Sequence, residues 1–353
     1  KAYTNVQEAL NIATYGDEIW VAEGVYYPDE GPGQTDNDQG STFTLVSGVI
    51  LYGGFDGTED SLDDRDPSAH PTILSGDIDQ NDTTDAGVVR DPGDIAGSNT
   101  YHVVTGIAVT ETAGLDGLVV TAGSAVDNGG GVFIDNASPT VAHATFIGNS
   151  AVRGGGMYNR ASSPILSDVT FENNACDPPG ASGYGGGMYN SGGQPELNGV
   201  SCISNTVSED GGALYNSSSS PTLVDVLFEG NSANGGGAVF NINDSDPSLT
   251  YATFRGNWAN NAGAMYSFNG CDPTLVNVLI SGNYAAYSES YAGGAMSNAN
   301  NCDPTLINVT ISGNAGESGT GGIVNTVNST ASLVNCILWN EGADLYTDGS
   351  SGV

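Results

Sequence analysis

Short apolar stretches, each followed by glycine, asparagine, serine or proline, recur along residues 129–340 of this chain. Within each stretch the apolar positions alternate with polar ones, as at Leu223/Val224, Val226 and Phe228. This alternation is typical of half-buried β-strands. A helix needs about ten or more residues without such breakers, so helical repeats are excluded.

Each copy of the pattern closes with an asparagine. These asparagines are 25, 31, 26, 26, 26, 31 and 26 residues apart, at Asn149, Asn174, Asn205, Asn231, Asn257, Asn283, Asn314 and Asn340. A fixed period of this length is the sequence signature of a solenoid. Strands too short to pair within their own copy must pair with the equivalent strand of the next copy, at about 4.8 Å. The pattern therefore predicts coils of parallel strands stacked on one another.

Alignment of the copies predicts which side chains point into the lumen of the solenoid. Two columns are apolar throughout, as a dry lumen requires. The first contains Val132, Met157, Met188, Leu214, Val239, Met265, Met296 and Val324, and the second contains Phe146, Phe171, Cys202, Phe228, Phe254, Ile280 and Ile311. For the asparagines we predict a ladder in which each amide bonds the neighbouring coil. The paired glycines before each first strand supply positive φ or close backbone approach.

A column of aromatic residues adjoins the first apolar column and is predicted to face the other way. Its members are Phe133, Tyr158, Tyr189, Tyr215, Phe240 and Tyr266. Rings repeated at the coil spacing can stack on one another. Such a ladder is either an exposed platform for carbohydrate or packing at a corner of the coil.

Two elements of the repeat resemble those of a known family. The sequence Gly-Gly-Ala-aliphatic occurs at 211–214, and Phe-x-x-Asn occurs at 228–231. Together they resemble the repeats of polymorphic outer-membrane-protein passengers and, more broadly, secreted bacterial right-handed parallel β-helix proteins. The resemblance covers nearly the whole chain and implies an all-β, pectate-lyase-like solenoid of single strands. It implies less about function, because the same scaffold occurs in lyases, hydrolases, adhesins and structural proteins.

We predict one continuous solenoid domain with three parts. Residues 1–128 contain an N-terminal cap helix and irregular first coils, residues 129–340 contain eight regular repeats, and residues 341–353 are a polar tail or a truncated end. The cap helix is predicted over Thr4–Ala13, because Thr4 and Gln7 have the spacing of a capping box and Gly16 follows as a stop. We expect this helix to plug the open end of the lumen.

Charge and composition narrow the choice of partners and compartment. Among 353 residues, six are Lys or Arg and 41 are Asp or Glu, which gives a net charge of -35. This charge excludes nucleic acid and anionic membrane as partners. There is no apolar run of about 18 residues that would span a membrane. The surface is rich in Ser, Thr, Asn and Gly, which favours a secreted protein at the cell surface. The first residue is Lys1 rather than Met, as expected of a processed secreted chain or of a fragment.

One loop has the alternating oxygen side chains of a calcium site. Asp77, Asp79, Asn81 and Asp82 are spaced as in calcium-binding loops. The loop departs from the EF-hand pattern at Asp82, where that pattern has glycine. Calcium is therefore the one cofactor predicted, and the alternative is a solvated acidic loop. A second candidate cation site is the stack of Asp246, Asp272 and Asp303, each before the repeat proline, with an Asp-Pro turn preference as the alternative.

Five cysteines are an odd number, so no complete disulfide framework is predicted. Cys271 and Cys302 nevertheless occupy the same position in adjacent coils, each two residues before the repeat proline. Stacked positions about 4.8 Å apart lie within the Cα separation that a disulfide tolerates. We hypothesise a bond between them, and the alternative is two free stacked thiols.

The two 31-residue repeats carry insertions at the same turn, at 175–184 and 284–292. Insertions in solenoids often lie on the binding face. The second insertion contains Tyr284, Tyr287 and Tyr291, an aromatic cluster suited to contact with sugar or protein. The alternative is a pair of loops without a binding role.

The residues that enzymes on this scaffold use are sparse. Polysaccharide lyases resemble one another in using Arg or Lys as the base, whereas the arginines here are scattered and a charge of -35 repels polyanions. A glycoside hydrolase needs two carboxylates at a defined separation, and no clustered pair lies on a repeat strand. The sequence therefore favours a non-catalytic extracellular protein: an adhesin passenger, a stalk or a filament subunit that contacts surface glycan or copies of itself. The alternative is a carbohydrate-active enzyme or a glycan-binding module.

Overall fold

The computed structural model describes residues 3–176, 182–288 and 292–352, and across them the chain is a right-handed parallel β-helix. The predicted fold class is therefore confirmed. Each coil contributes one short strand to each of three long sheets, and six coils contribute a further strand to a fourth sheet.

The strands of each sheet follow in spatial order. The first sheet contains β1 (Glu18–Ala22), β4 (Ile50–Phe55), β7 (Gly114–Asp116), β10 (Thr140–Ala142), β13 (Ile165–Ser167), β17 (Glu196–Asn198), β21 (Thr222–Val224), β25 (Ser248–Thr250), β29 (Thr274–Val276), β33 (Thr305–Ile307) and β37 (Ser332–Val334). The second contains β2 (Gly24–Tyr26), β5 (Thr72–Ser75), β8 (Leu118–Thr121), β11 (Thr145–Ile147), β14 (Thr170–Glu172), β18 (Ser201–Ile203), β22 (Leu227–Glu229), β26 (Thr253–Arg255), β30 (Leu279–Ser281), β34 (Thr310–Ser312) and β38 (Ile337–Trp339).

The third sheet contains β3 (Phe43–Thr44), β6 (Val104–Ile107), β9 (Val132–Asp135), β12 (Met157–Arg160), β16 (Met188–Ser191), β20 (Leu214–Ser217), β24 (Val239–Ile242), β28 (Met265–Phe268), β32 (Met296–Ala299), β36 (Thr320–Thr326) and β39 (Ala343–Thr347). The fourth contains β15 (Ala175–Cys176), β19 (Thr206–Val207), β23 (Ser232–Gly235), β27 (Trp258–Asn261), β31 (Tyr284–Ala285) and β35 (Ala315–Gly316). Within the part of the predicted tail that is described, β39 adds a strand to the solenoid by pairing with β36.

A single short α-helix is present in the described residues, at the N-terminal end. Helix α1 spans Val6–Ile12, and its N-cap is Asn5, whose side chain accepts the N–H of Glu8. The predicted capping box at Thr4 is therefore displaced by one residue, because the side-chain oxygen of Asn5 already satisfies an N–H of the first turn. Val6 and Leu10 are buried in the lumen core. Two 3₁₀ turns, Leu62–Asp64 and Pro92–Asp94, lie in the polar excursions between the first coils.

The lumen is filled by the two predicted apolar columns. Phe146 stacks on Phe171 with ring centroids 4.9 Å apart, and Phe228 stacks on Phe254 at 4.6 Å. All four rings are fully buried. Burial of one such side chain contributes about 1.5–3 kcal/mol relative to exposure. Burial of these columns, together with first-sheet residues such as Leu223 and Leu249 in the same core, therefore stabilises the stacking of one coil on the next.

One member of the first column is corrected by the structure. Met296 pairs with Ile323, whereas Val324 pairs with Ser297. Register in this coil is set by the amide of Asn298, which donates to Asn325, 27 residues further on. Ile323 follows Asn314 by nine positions, as Leu214 follows Asn205, so the column passes through Ile323 and not through its aliphatic neighbour Val324.

The predicted ladder of closing asparagines runs along the turn after the second sheet. In each rung the amide nitrogen of one asparagine donates to the side-chain oxygen of the next, as from Asn231 to Asn257 at 2.9 Å, and the backbone N–H of Asn231 donates to the same oxygen at 2.9 Å. The amide nitrogen also donates to a main-chain carbonyl one coil before, such as that of Cys202 at 2.9 Å. Each buried amide is thus satisfied within the protein.

A second asparagine ladder, which sequence reasoning missed, runs inside the third sheet. It contains Asn159, Asn190, Asn216 and Asn241, each donating to the next at 2.8–2.9 Å, and then Asn298 and Asn325 at 2.9 Å. Ser267 stands where the fifth amide would be, and it receives only a long bond of 3.4 Å from Asn241. The side-chain oxygen of Asn298 is consequently buried without a hydrogen-bond partner.

The predicted positive φ is found at the glycine that opens the turn before the third-sheet strand in five coils, Gly129, Gly154, Gly185, Gly211 and Gly236, and at Ala262 in the next coil. Gly154 has φ 65°, and a Cβ on it would lie 2.2 Å from the carbonyl oxygen of Met157. A side chain is therefore excluded at this turn by both backbone conformation and space.

Substitution of Ser267 by Asn is expected to complete the second ladder. The new amide would accept from Asn241 and donate to the unpartnered oxygen of Asn298, so we expect the free energy of unfolding in urea to rise by about 1–2 kcal/mol. Ser248→Asn on the exposed face of the first sheet is the control, with an expected change within about 0.5 kcal/mol. A Ser267→Asn variant no more stable than the wild type would contradict this account.

Candidate functional site

The wall of the solenoid departs from the regular repeat on the fourth sheet, where the second insertion begins. Trp258 of β27 and Tyr284 of β31 are paired neighbours in adjacent coils. Their sequence neighbours Ala259 and Ala285 are fully buried. Because side chains alternate along a strand, both rings lie on the outer face.

The insertion continues this sheet before it leaves the wall. The backbone N–H of Ala286 donates to Ala259 at 2.8 Å, and that of Tyr287 donates to Asn260 at 3.0 Å. Tyr287 is thereby held beside the outer face of the sheet, with 47% of its surface exposed, and Trp258 is 41% exposed. We call Trp258, Tyr284 and Tyr287 the aromatic surface. Tyr291, the third tyrosine of the predicted cluster, lies outside the described residues.

An acidic depression adjoins the aromatic surface on the C-terminal side. It encloses about 300 Å³ and is lined by Tyr284, Ala315, Gly316, Glu317, Gly319, Glu341 and Gly342. The space exists because β35 places Ala315 and Gly316 where the two preceding coils carry Tyr284–Ala285 and Trp258–Ala259. The Tyr284 hydroxyl donates to a carboxylate oxygen of Glu317, and this bond raises the pKa of Tyr284.

Chemically, this arrangement combines flat apolar rings with carboxylate acceptors. Aromatic faces pack against the C–H face of a sugar ring, and carboxylates accept hydrogen bonds from its hydroxyl groups. Sequence reasoning found Tyr284 and Tyr287 but missed Trp258, Glu317 and Glu341. The signal that would have found Trp258 is its alignment one coil before Tyr284, 26 residues earlier.

The aromatic column predicted next to the lumen forms a stacked ladder along the third sheet. The centroid distances are 5.7 Å for Phe133–Tyr158, 5.2 Å for Tyr158–Tyr189, 4.7 Å for Tyr189–Tyr215 and 5.2 Å for Tyr215–Phe240. Tyr215 and Phe240 are buried, at 8% and 5% exposure. Rings this well covered offer little face to a ligand, so the ladder is packing at a corner of the coil.

A carboxylate with a displaced pKa lies beside this ladder, next to the first insertion. Asp210 bridges Tyr184 and Gly235 of the neighbouring coils, and its Oδ1 lies 2.5 Å from the place where a Cβ on Gly235 would be. Burial, together with the charge of Glu209, raises the pKa of Asp210 to about 7. Among the described residues, no ion pair includes Asp210.

The carboxylates of the predicted calcium loop accept hydrogen bonds from the loop itself and from residues 98 and 99. Asp77 accepts the N–H groups of Asn81 at 2.9 Å and Asp82 at 3.2 Å. Asp79 accepts the N–H of Ser98 at 2.8 Å, and Asp82 accepts the amide of Asn99 at 2.7 Å. Burial raises the pKa of Asp77 and of Asp82. The carboxylates of this loop therefore hold residues 96–99 in place through hydrogen bonds.

Two features of this loop bear on calcium binding. One oxygen of Asp79 is buried without a hydrogen-bond partner. However, within residues 3–176, 182–288 and 292–352, no group of three or more His, Cys, Asp or Glu side chains is placed to hold a metal ion. Calcium binding at Asp77, Asp79, Asn81 and Asp82 stays a prediction.

The second candidate cation site is a ladder of side chain to backbone bonds. An oxygen of Asp246 accepts the N–H of Asp272 at 2.7 Å, and one of Asp272 accepts the N–H of Asp303 at 2.6 Å. Thr330 donates to Asp303 in the same way at 2.7 Å. Burial, with the charges of Asp246 and Asp303, raises the pKa of Asp272. Each carboxylate of the stack is therefore hydrogen-bonded to a backbone N–H of the next coil, which explains why the three aspartates are aligned.

The disulfide predicted between Cys271 and Cys302 is not formed in the structure, where both are buried free thiols. The sulfur of Cys302 accepts the N–H of Cys271 at 3.2 Å, and the sulfur of Cys271 accepts the N–H of Ser245 at 3.3 Å. Serine hydroxyls make the same bond in other coils, as Ser245 does to the N–H of Ser219 at 3.1 Å. The two thiols therefore act as acceptors along the stack, and they also hydrogen-bond to each other.

A charged cluster that sequence reasoning did not assemble lies at the turn after the first sheet. Asp116 accepts from the Arg65 guanidinium at 2.7 Å and lies 2.9 Å from Nδ1 of His143. Arg65 also donates to the carbonyl of Gly53 at 3.2 Å and lies over the ring of Tyr52. These contacts tie the excursion around Arg65 to the wall of the solenoid, which is a structural role.

Comparison with known proteins gives one match. Residues 225–242 match the model of the Chlamydia polymorphic membrane protein (Chlamydia_PMP) repeat, and they contain β22, β23 and β24, most of one coil. The comparisons with curated proteins and with solved structures gave no match. Together with the β-helix, the repeat match confirms the resemblance to polymorphic membrane protein repeats. In the described part of the chain, no helix has the length and apolarity needed to cross a membrane.

Replacement of Asp210 by Asn is expected to flatten the pH dependence of stability. The pKa of the Asp210 carboxyl is raised from 3.8 to about 7 in the folded state. The contribution of this carboxyl to wild-type stability is therefore greatest below pH 4 and is lost as the pH rises to 7. The full displacement corresponds to at most about 4 kcal/mol, and partial solvent access reduces it. We expect Asp210→Asn to gain about 1–2 kcal/mol in urea unfolding at pH 8 and nothing at pH 4. Asp225→Asn, an exposed carboxylate, is the control; equal gains in both variants would contradict the assignment.

Serine is expected to replace either stacked cysteine at little cost. The Ser245 hydroxyl donates to the carbonyl of Ile242, three residues earlier, and the Cys271 thiol donates to the carbonyl of Phe268 in the same way. A serine at position 271 would therefore find an acceptor already in place. We expect Cys271→Ser and Cys302→Ser each to change the free energy of unfolding by less than about 1.5 kcal/mol. A thiol titration of unfolded, unreduced protein should count five cysteines, whereas a count of three would restore the predicted disulfide.

Proposed function

We propose that this chain is a non-catalytic, extracellular β-helical protein of the bacterial cell surface, acting as an adhesin passenger, a stalk or a filament subunit. The observation that supports this most is the stacking of coils along three long parallel sheets. Eleven strands in each long sheet, at about 4.8 Å, extend over roughly 48 Å. The similarity of residues 225–242 to the polymorphic membrane protein repeat supports a surface location.

The distribution of charged groups argues against a lyase. Arg65, Arg90, Arg160 and Arg255 each have a carboxylate partner within 3.4 Å. A paired guanidinium is a poor base, and a net charge of -35 repels a polyanionic substrate. Because most of its arginines are paired with carboxylates, the protein is better suited to a structural role than to abstraction of a proton from a substrate.

The aromatic surface and the acidic depression form the face that we assign to partner contact. Trp258 and Tyr284 present rings in adjacent coils, Tyr287 flanks them, and Glu317 and Glu341 lie at one end. We infer a neutral surface glycan as the partner, because carboxylates without a nearby cation disfavour acidic sugars. Self-association through the same face is the alternative partner.

One observation favours a second candidate function, a carbohydrate-active enzyme or glycan-binding module. Two carboxylates, those of Glu317 and Glu341, line the same depression beside a tyrosine. Glycoside hydrolases use a pair of carboxylates flanking the scissile bond. The proposal is therefore tested for binding and for turnover together.

The test is a glycan array followed by a reducing-end assay on every retained glycan. We expect retention of neutral glycans without release of reducing ends. Trp258→Ala is expected to weaken retention about tenfold through loss of ring stacking. Tyr251→Ala is the matched control, because Tyr251 is 61% exposed on a different turn of the coil. Release of reducing ends would establish the enzyme instead.

The cellular location is tested in a separate experiment, so that a wrong location and a wrong partner can be distinguished. Antibody labelling of intact cells that make the full-length protein is expected to detect this chain. Removal of the label by brief protease treatment of intact cells supports display at the surface. Labelling only after the cells are opened would reject it, whatever the glycan array shows.

A further inference from the structure

A groove lies at the N-terminal end of the solenoid. It encloses about 720 Å³ and runs between α1 and β1. One wall is the whole length of β1, from Glu18 to Ala22, and the other includes Ala9, Ile12 and Ala13. We call this cavity the N-terminal groove.

Strand β1 presents an edge to this groove. It is the first strand of its sheet and pairs on one side with β4. Alternate N–H and C=O groups along its other side therefore lack a strand partner within the described part of the chain. An unpaired edge of this kind is a template for a further strand, and proteins usually cover it or pair it.

Helix α1 covers other parts of the same end. Gln7 is buried, and its amide donates to the carbonyl of Pro28 at 2.6 Å and to that of Thr42 at 2.9 Å. Carbonyls flanking β2 and β3 are thus satisfied by the cap. The groove is where the cap leaves a strand edge open along its full five residues, a length of about 16 Å.

The side chains of the groove indicate what kind of strand would bind. Asp17 and Glu18 lie along it, and the described residues that line it include no Lys or Arg. The indole of Trp20 stacks on Phe55 at 4.8 Å and remains 40% exposed. Phe55 belongs to the next coil, so the other face of the indole is available to an incoming side chain.

We propose that the N-terminal groove binds an extended basic peptide segment, which adds as a strand to the free edge of β1. Main-chain hydrogen bonds to β1 supply affinity, Asp17 and Glu18 select basic residues, and Trp20 packs against the aliphatic part of a bound side chain. A sugar bound on Trp20 alone would leave the edge of β1 unpaired. This proposal is independent of glycan contact at the aromatic surface.

The probe is a fluorescein-labelled nonapeptide of alternating lysine and valine, with binding followed by anisotropy at fixed ionic strength. We expect saturable binding at one site per chain. A peptide with the same sequence but N-methylated on every central amide is expected not to bind, because it cannot donate to β1. A glutamate–valine peptide is likewise expected not to bind.

Site specificity is tested with two variants that remove the same charge. Asp17→Asn with Glu18→Gln is expected to weaken binding about tenfold, whereas Asp63→Asn with Asp64→Asn, on an exposed 3₁₀ turn, is expected to leave it unchanged. Circular dichroism melting confirms that both variants fold. Binding that survives N-methylation, equal loss in both variants, or association of the unliganded chain into dimers through this end would each overturn the proposal.

Discussion

Hydrogen bonding between buried amides of successive coils is the constraint on which the rest of the structure depends. A side-chain oxygen such as that of Asn257 takes two donors from the coil before it, the amide and the backbone N–H of Asn231. An amide buried without these partners would cost about 1–3 kcal/mol. Stacking out of register is therefore penalised at every coil, and the apolar columns of the lumen are aligned as a consequence.

Much of this arrangement was predictable because repetition reveals which positions are equivalent. The lumen columns, the closing asparagines and the turn glycines each recur at the period of the coil, so their environment is read from their neighbours in the alignment. Val324 was assigned to the lumen column instead of its neighbour Ile323, because both are aliphatic and this coil advances by 27 residues, unlike the coil before it. Cys271 and Cys302 were correctly placed as stacked neighbours, but the sequence alone does not distinguish a disulfide from two stacked free thiols.

Prediction was weaker at sites that join different coils or distant loops. Tyr284 and Tyr287 lie in one insertion and were found, whereas Glu317 and Glu341 reach the same depression from later coils. The loop around Asp77 has the local spacing of a cation site, yet Asp79 and Asp82 bond Ser98 and Asn99, some 17–19 residues away. Local spacing identifies chemical groups, but the donors that satisfy them come from elsewhere in the chain.

The tolerance of the turn after each closing asparagine has a broader consequence. Coils of 25 and of 31 residues maintain the same ladder, with amide contacts of 3.0 Å from Asn149 to Asn174 and from Asn174 to Asn205. Added residues leave the wall after the ladder has already set the register. Related proteins can thus exchange recognition loops at this turn while the solenoid continues to fold in the same way. New binding properties can therefore evolve without destabilising the fold.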